Sequence, residues 1–329
     1  MTGENLVQIR DLSVTYSPVG QPTVKALECA SLDIRFGEII GVLGESGCGK
    51  STLASALLRL LPEYAHYESG TVGFLGRDLL GVGEPELRKL RGKEIVLIPQ
   101  DPALALNPVM RVGAQISEVL KAHTALTRAQ RIGRVQELLR EVGFDDPEEV
   151  GSAYSHQLSG GQRQRITIAQ AIACRPALIV ADESTSKLDR PLQDEILQLL
   201  SNIRRRHGIA LLFITHDPSL LFSFADRLMV MYAGRIVEQG NTRDVMQKPL
   251  HPYTQALLGL ADGPALASAR GSRLALATIS GEPPDRTSVT SGCGFEPRCG
   301  DRMQVCKCNF PKQLMTGPGH YVSCFKYVN

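Results

Sequence analysis

Apolar residues recur along this chain at two spacings. Short unbroken runs at Glu38–Leu43, Glu94–Pro99 (EIVLIP), Ala177–Ala181 (ALIVA) and Ile209–Thr215 (IALLFIT) predict buried strands. Leu6–Tyr16 alternates and predicts a strand, with Ala30–Phe36 as a partner and the proline- and glycine-bearing Ser17–Thr23 as a loop between them. Gly70–Leu75 reads as a further strand, and Arg227–Tyr232 with Arg235–Gln239 as an antiparallel hairpin joined at Ala233-Gly234. Helical spacing marks Leu53–Leu61, Pro85–Arg91, Val112–Glu141, a stretch opening at Leu158 and ending near Ala173, Leu192–Arg206 and Ser219–Ala225. Gly113 and Gly133 are the weak points of Val112–Glu141, and Gly143–Gly151 predicts a loop. Strands alternating with helices predict an α/β chain with a mostly helical insertion at about 101–157.

Composition narrows the class. At 329 residues the chain has room for a large core plus a second domain or appendage. Lys and Arg number 36 against 34 Asp and Glu, a formal charge of +2, so no basic stripe argues for nucleic acid. The first residues, MTGENLVQIRDLSV, lack the layout of a signal peptide, and no apolar run reaches bilayer length. A cytosolic chain that reaches a membrane only through partners is expected. Of eight cysteines, Cys29, Cys48 and Cys174 are scattered, while Cys293, Cys299, Cys306, Cys308 and Cys324 crowd the final stretch. In a cytosolic chain such crowding points to metal or redox chemistry more than to disulfides.

The chemistry begins after the first buried strand. Gly44-Glu45-Ser46-Gly47-Cys48-Gly49-Lys50-Ser51 fits the phosphate-loop pattern, and Thr52 follows it. Glycines let successive N–H groups point at an anion, Lys50 adds a charge for the outer phosphates, and the Ser51 hydroxyl suits Mg²⁺. A helix beginning there adds the positive end of its dipole. Gln100 stands at the end of a predicted strand, where ligands bind in α/β sheets. Ser159, followed by Gly160 and Gly161, is a helix N-cap that leaves room for a ligand. Asp182 and Glu183 end a buried strand, where two adjacent carboxylates are costly without a task. Asp182 suits Mg²⁺ and Glu183 a general base. His216 ends the next strand, and Tyr16 is either a half-buried strand aromatic or a platform for a purine.

Tyr16, the phosphate loop, Gln100, Leu158-Ser159-Gly160-Gly161-Gln162, and Asp182-Glu183 followed by His216 occur in one order, and this resembles the ATP-binding-cassette ATPases over about residues 5–262. LSGGQ is the specific part, since other phosphate-loop enzymes lack it. The resemblance implies a phosphate-loop NTPase core with a mixed sheet, an antiparallel β subdomain and a helical subdomain. Tyr16 would stack on adenine, and Gly44, Glu45, Ser46, Gly47, Cys48, Gly49, Lys50, Ser51 and Thr52 would wrap the triphosphate. Ser51, Gln100 and Asp182 would attend Mg²⁺, Glu183 would activate water and His216 would act as the switch. Leu158, Ser159, Gly160, Gly161 and Gln162 would complete the site of a second ATPase subunit, and Ser186 and Asp189 would lie in the dimer-contact loop. Ser184 and Lys187 depart from the family pattern, which has proline and a small apolar residue there, without touching the acid pair.

A narrower resemblance is carried by DPALALNP at 101–108 and HPYTQALL at 251–258, and by a tail with Cys293, Cys299, Cys306 and Cys324. These look like the oligopeptide/dipeptide/nickel importer branch. The resemblance divides the chain into an ATPase domain at 1–262 and a small Cys-rich extension at 263–329. It implies import of peptides, with nickel or a metal chelate as the alternative cargo and a soluble non-transport ATPase as a more distant one. It also implies a non-identical partner ATPase, two permease subunits and an extracytoplasmic binding protein, at the cytoplasmic face of a bacterial plasma membrane. ATP and Mg²⁺ are the implied cofactors. The four thiols suggest a [4Fe–4S] cluster, zinc fits by ligand type, and Cys308 is a bystander or an alternative ligand.

Overall fold

The computed structural model describes residues 5–259, 279–284, 286–287 and 292–328. The chain divides into two compact units. One is built on Gly81–Phe213 with Arg35–Glu38, the other on Val7–Ile34, Ile39–Leu80 and Ile214–Asn329.

In the first unit the strands Ile95–Ile98 and Leu178–Asp182 run parallel, Ile95 opposite Leu178 and Ile98 opposite Ala181, with Ala210–Thr215 on the other side of Leu178–Asp182. Residues 178–181 are fully buried, as their unbroken apolar run demands. Helices Pro102–Ala105, Val112–His123, Arg128–Glu141 and Pro147–Ser152 fill the insertion, and a helix over Gly160–Ile172 returns the chain to the sheet. The expected single helix over Val112–Glu141 is two. It breaks at residues 124–127, not at Gly113 or Gly133. Thr124 Oγ1 donates back to Leu120 O at 2.6 Å, and Thr127 starts the next helix in a reciprocal cap with Gln130. Gly143–Gly151, expected as loop, holds the helix from Pro147, because Asp146 accepts from the N–H groups of Glu148 and Glu149 with proline at the first turn.

The second unit has two sheets. Val24–Arg35, Asn5–Tyr16, Ala65–Phe74 and Arg77–Asp78 stand in that order, with antiparallel pairing between Asn5–Tyr16 and Ala65–Phe74. The other sheet is mixed. Ile39–Leu43 lies parallel to Arg227–Tyr232, followed by antiparallel Arg235–Asn241, His320–Val322 and Leu314–Gly317. Ala233 (φ 47) and Gly234 (φ 83) make the tight hairpin turn, both left-handed as such a turn requires. The tail therefore continues a sheet that begins beside the phosphate loop. The helix expected at Leu53–Leu61 spans Lys50–Leu57, and the one expected at Ser219–Ala225 spans Pro218–Leu221 with Asp217 as its cap. Among the described residues no helix is long and apolar enough to cross a membrane. The α/β class with mixed sheet, antiparallel sheet and helical insertion is the one the sequence predicts.

Candidate functional site

The strand Ile39–Leu43 is buried throughout and delivers the chain to Gly44. A Cβ at Gly44 would stand 2.3 Å from Met231 O, so the backbone itself packs there. Gly49 has φ 112, and a Cβ on it would meet the Ala26 carbonyl at 2.6 Å. This left-handed turn launches the helix at Lys50, whose start carries no side-chain cap. A helix start without a side-chain cap, with the positive end of its dipole there, suits an anion. Lys50 is buried, and its ammonium donates to Gly44 O at 2.8 Å and Glu45 O at 3.0 Å. Ser51 is exposed, and Thr52 Oγ1 lies 3.2 Å from Tyr16 Oη. The Tyr16 ring is 5.9 Å from that of Tyr64. Burial pushes the Cys48 thiol up, which keeps it neutral beneath the loop.

Below the loop lies an aromatic floor that the sequence does not single out. Tyr253, fully buried, accepts the Glu45 N–H at 2.8 Å, and its ring packs 4.4 Å from Tyr232 and 5.4 Å from Phe295. The HPYT motif explains how it gets there. His251 caps the helix Pro252–Leu257 by accepting the Tyr253 N–H at Nδ1, 3.0 Å away. Burial pushes the His251 imidazole down to about 3, so it stays neutral and able to accept. Glu238, with no exposed surface, accepts the backbone N–H groups of Leu250 and His251 and pairs with His320 at 2.8 Å. Two tail arginines also reach the loop: Arg298 pairs with the Glu45 carboxylate, and Arg286 donates to the carbonyls of Gly47 and Ala26. The motifs containing Tyr253 and Arg298 are visible in the sequence, but nothing in their spacing says that they touch Glu45.

The predicted residues from Gln100 to Asp189 lie in the unit of the parallel strands. Gln100 Nε2 donates to Glu183 Oε2 at 3.1 Å, which brings two of the three expected catalytic residues together. Glu183 has φ 47, an uncommon left-handed backbone for a glutamate, clamped by Ser186, whose N–H and hydroxyl both bond its carbonyl. Asp182 precedes it at the strand end. Ser159 and Gln162 form a reciprocal cap at the helix that opens at Gly160, with Leu158 buried just before it. Gly160 stands near Leu188, and Gly161 is pressed against Leu192. Asp189 caps the helix Arg190–His207, accepting the Leu192 N–H. Lys187 pairs with Asp101 and holds that carboxyl below the usual carboxylate range.

His216 is exposed just past the strand Ala210–Thr215. In the tail, burial pushes the Cys293 thiol up to about 11 and raises those of Cys299 and Cys324, with neighbouring cysteines adding to each. Cys293 N–H donates to Cys306 O at 2.8 Å, while Cys308 is exposed. As free thiols they are not in ligating array. Among the described residues no group of three or more His, Cys, Asp or Glu has the arrangement to hold a metal.

Comparison with known proteins agrees with this geometry. The ABC transporter family matches residues 27–186, and the oligopeptide/dipeptide transporter C-terminal region matches 237–306. The chain is 39% identical to the dipeptide transport ATP-binding protein DppD of Bacillus subtilis, over 98% of this chain and 95% of that protein. It is 40% identical to the oligopeptide transport ATP-binding protein OppD of Escherichia coli, over 98% and 94%. Among solved structures, the ATP-binding cassette MJ0796, dimeric in a post-hydrolysis state with ADP and Pi, superposes with a TM-score of 0.64 at 27% identity, covering 72% of this chain and 99% of that one. The chain belongs to the ABC transporter ATP-binding proteins of the dipeptide and oligopeptide transport family.

Proposed function

We propose that this chain hydrolyses ATP to drive peptides through a membrane transporter, each of its sites being completed by a second ATPase subunit. The observation that carries the reading is Glu183: a carboxylate at a strand end, held on a strained backbone and oriented by Gln100. Strain of this kind persists where the task needs it.

Gly44 to Thr52 bind the triphosphate, with Lys50 against its outer phosphates and Tyr16 under the adenine. The uncapped helix start and the left-handed turn at Gly49 fit an anionic ligand. Ser51 and Asp182 would hold Mg²⁺ with Gln100 beside it, and the ion supplies charge neutralisation on the phosphates. Glu183 takes a proton from water as its oxygen attacks the γ-phosphorus in line. The bond to the β–γ bridging oxygen breaks, and that oxygen leaves with ADP. His216 senses the γ-phosphate. Leu158 to Gln162 of one subunit close on the ATP of its partner, with Ser186 and Asp189 at the contact, so two cassettes shut around two nucleotides and reopen after hydrolysis. The post-hydrolysis dimer of the similar cassette MJ0796 supports this arrangement.

Residues 1–262 form the ATPase domain and 263–329 the extension. Cys293, Cys299, Cys306 and Cys324 of the extension would hold a [4Fe–4S] cluster once their thiols move into a ligating array, with Cys308 exposed beside them. The thiols would release their protons on ligation, and the cluster would supply a rigid crosslink. The partner ATPase is a non-identical relative, both dock on two permease subunits at the cytoplasmic face of a bacterial membrane, and a binding protein outside delivers peptide.

The test is Glu183→Gln. Steady-state hydrolysis falls by at least about 100-fold, while ATP binding persists and stable dimers accumulate in size-exclusion chromatography. Undiminished turnover removes Glu183 from the role of base.

A further inference from the structure

Glu45, the second residue of the phosphate loop, is tied at each of its polar groups. Its N–H donates to Tyr253 Oη at 2.8 Å, its carbonyl accepts from Lys50 Nζ at 3.0 Å, and its carboxylate receives both ends of the Arg298 guanidinium. Those two bonds, Nη1 to Oε2 at 2.8 Å and Nη2 to Oε1 at 3.1 Å, form the planar fork that only arginine makes with a carboxylate. Arg298 is itself immobilised. Its Nε donates to Ser280 O at 3.1 Å, its Nη2 to Ile279 O at 2.9 Å, and its Nη1 to Tyr232 Oη at 3.2 Å.

The Arg298 side chain is 4% exposed and that of Glu45 25%. A guanidinium so far out of water is held only with its counter-charge in place. The pair therefore fixes Glu45 more firmly than an exposed ion pair would. Whatever fixes Glu45 also fixes the carbonyl that holds the Lys50 ammonium. The fork belongs to the tail, one residue before Cys299, while Lys50 is the loop's own cation.

We propose that Arg298 is a positioning residue for ATP: through the Glu45 carboxylate it sets where Lys50 stands, so the carboxy-terminal extension is a working wall of the nucleotide site. The inference rests on this loop being the ATP site, and its consequence is selective. Lys50 faces the outer phosphates, so loss of the fork weakens nucleotides that have them and spares those that do not.

The test compares Arg298→Met, Glu45→Gln and the double variant in the full-length chain. Equilibrium affinities for ATP and AMP are measured by competition with a fluorescent nucleotide. Each single variant weakens ATP by about 10- to 100-fold, AMP changes less than about threefold, and the double variant is no worse than the poorer single one. Arg298→Lys, which keeps the charge but loses the fork, recovers part of the ATP affinity. Unchanged ATP affinity in Glu45→Gln overturns the proposal even where Arg298→Met fails to fold, and so do additive losses or equal losses for ATP and AMP. Lys50→Ala, run in parallel, separates the two readings. Wild-type ATP affinity in Lys50→Ala defeats the loop as the ATP site, whereas loss there with no change in the Arg298 and Glu45 variants defeats the positioning role alone.

Discussion

Replacing Tyr253 with phenylalanine removes one oxygen from beneath the phosphate loop and leaves the ring. The ring contacts with Tyr232 and Phe295, at 4.4 and 5.4 Å, are kept, so no cavity opens and the transfer term is small. What disappears is the acceptor for the Glu45 N–H, 2.8 Å from the hydroxyl. A buried amide left without a partner costs about 1–3 kcal/mol. If that cost falls on the loop conformation that binds nucleotide, ATP affinity drops by roughly 5- to 150-fold. The assay is the ATP concentration dependence of hydrolysis together with equilibrium binding, and circular dichroism confirms that the fold is retained. An affinity within twofold of wild type in a folded protein would refute the idea that Tyr253 holds the loop. Tyr253→Leu, which loses both ring and hydroxyl, should be worse than phenylalanine, and equality of the two would assign the whole effect to the hydroxyl.

Three further outcomes follow from buried groups and a strained backbone. His251 is held near pKa 3 in the fold but near 6.5 when unfolded, so the unfolded chain binds a proton the folded one refuses; stability falls as pH drops from 6.5 toward 3, by at most about 1.4 kcal/mol per pH unit. His251→Asn, which can still cap the helix, should flatten the acid limb of the urea-midpoint profile, and parallel profiles would reject this source. Cys299→Ser should abolish a brown absorbance at about 400 nm in anaerobically purified protein, whereas a colourless wild-type preparation with stoichiometric zinc would replace iron by zinc. Glu183→Gly, compared with Glu183→Gln, should raise the unfolding free energy by about 1 kcal/mol because glycine adopts φ 47 without strain, and a lower value would deny that the backbone is strained there.

Strands whose burial depends on an unbroken apolar run are legible in the sequence because one physical fact, two covered faces, writes one pattern; Leu178–Asp182 and Ala210–Thr215 fall within a residue or two of expectation. Helix boundaries are less legible, since they depend on caps. Gly113 and Gly133 look like breaks yet sit inside helices, whereas two threonines, Thr124 and Thr127, end one helix and begin the next. The helix Pro147–Ser152 is written in Asp146-Pro147, a cap and first-turn proline that a loop-like composition hides. The strands that close the tail, Leu314–Gly317 and His320–Val322, are illegible for another reason. The latter strand pairs with Glu238 and Gln239, more than 80 residues earlier, and His320 meets the Glu238 carboxylate at 2.8 Å, and a long-range partner leaves no local trace.

The same distinction divides the site. Backbone-driven chemistry is written locally, so the phosphate loop can be read from its glycines and the helix after it. Pairs built across the fold cannot. Glu45 looks like any residue of the loop, and Arg298 looks like a spacer between cysteines, yet the two form a fork across 253 residues of chain. Lys187 reads as a departure from the family pattern, and only its pairing with Asp101 shows what accommodates it. Even Gln100 and Glu183, each marked by its strand end, are separate signals until the fold joins them at 3.1 Å. The Lys50 ammonium is held by the carbonyls of Gly44 and Glu45, so its position depends on what fixes Glu45. Local sequence supplies the lysine, and contacts made by Tyr253 and Arg298, far along the chain, supply the placement.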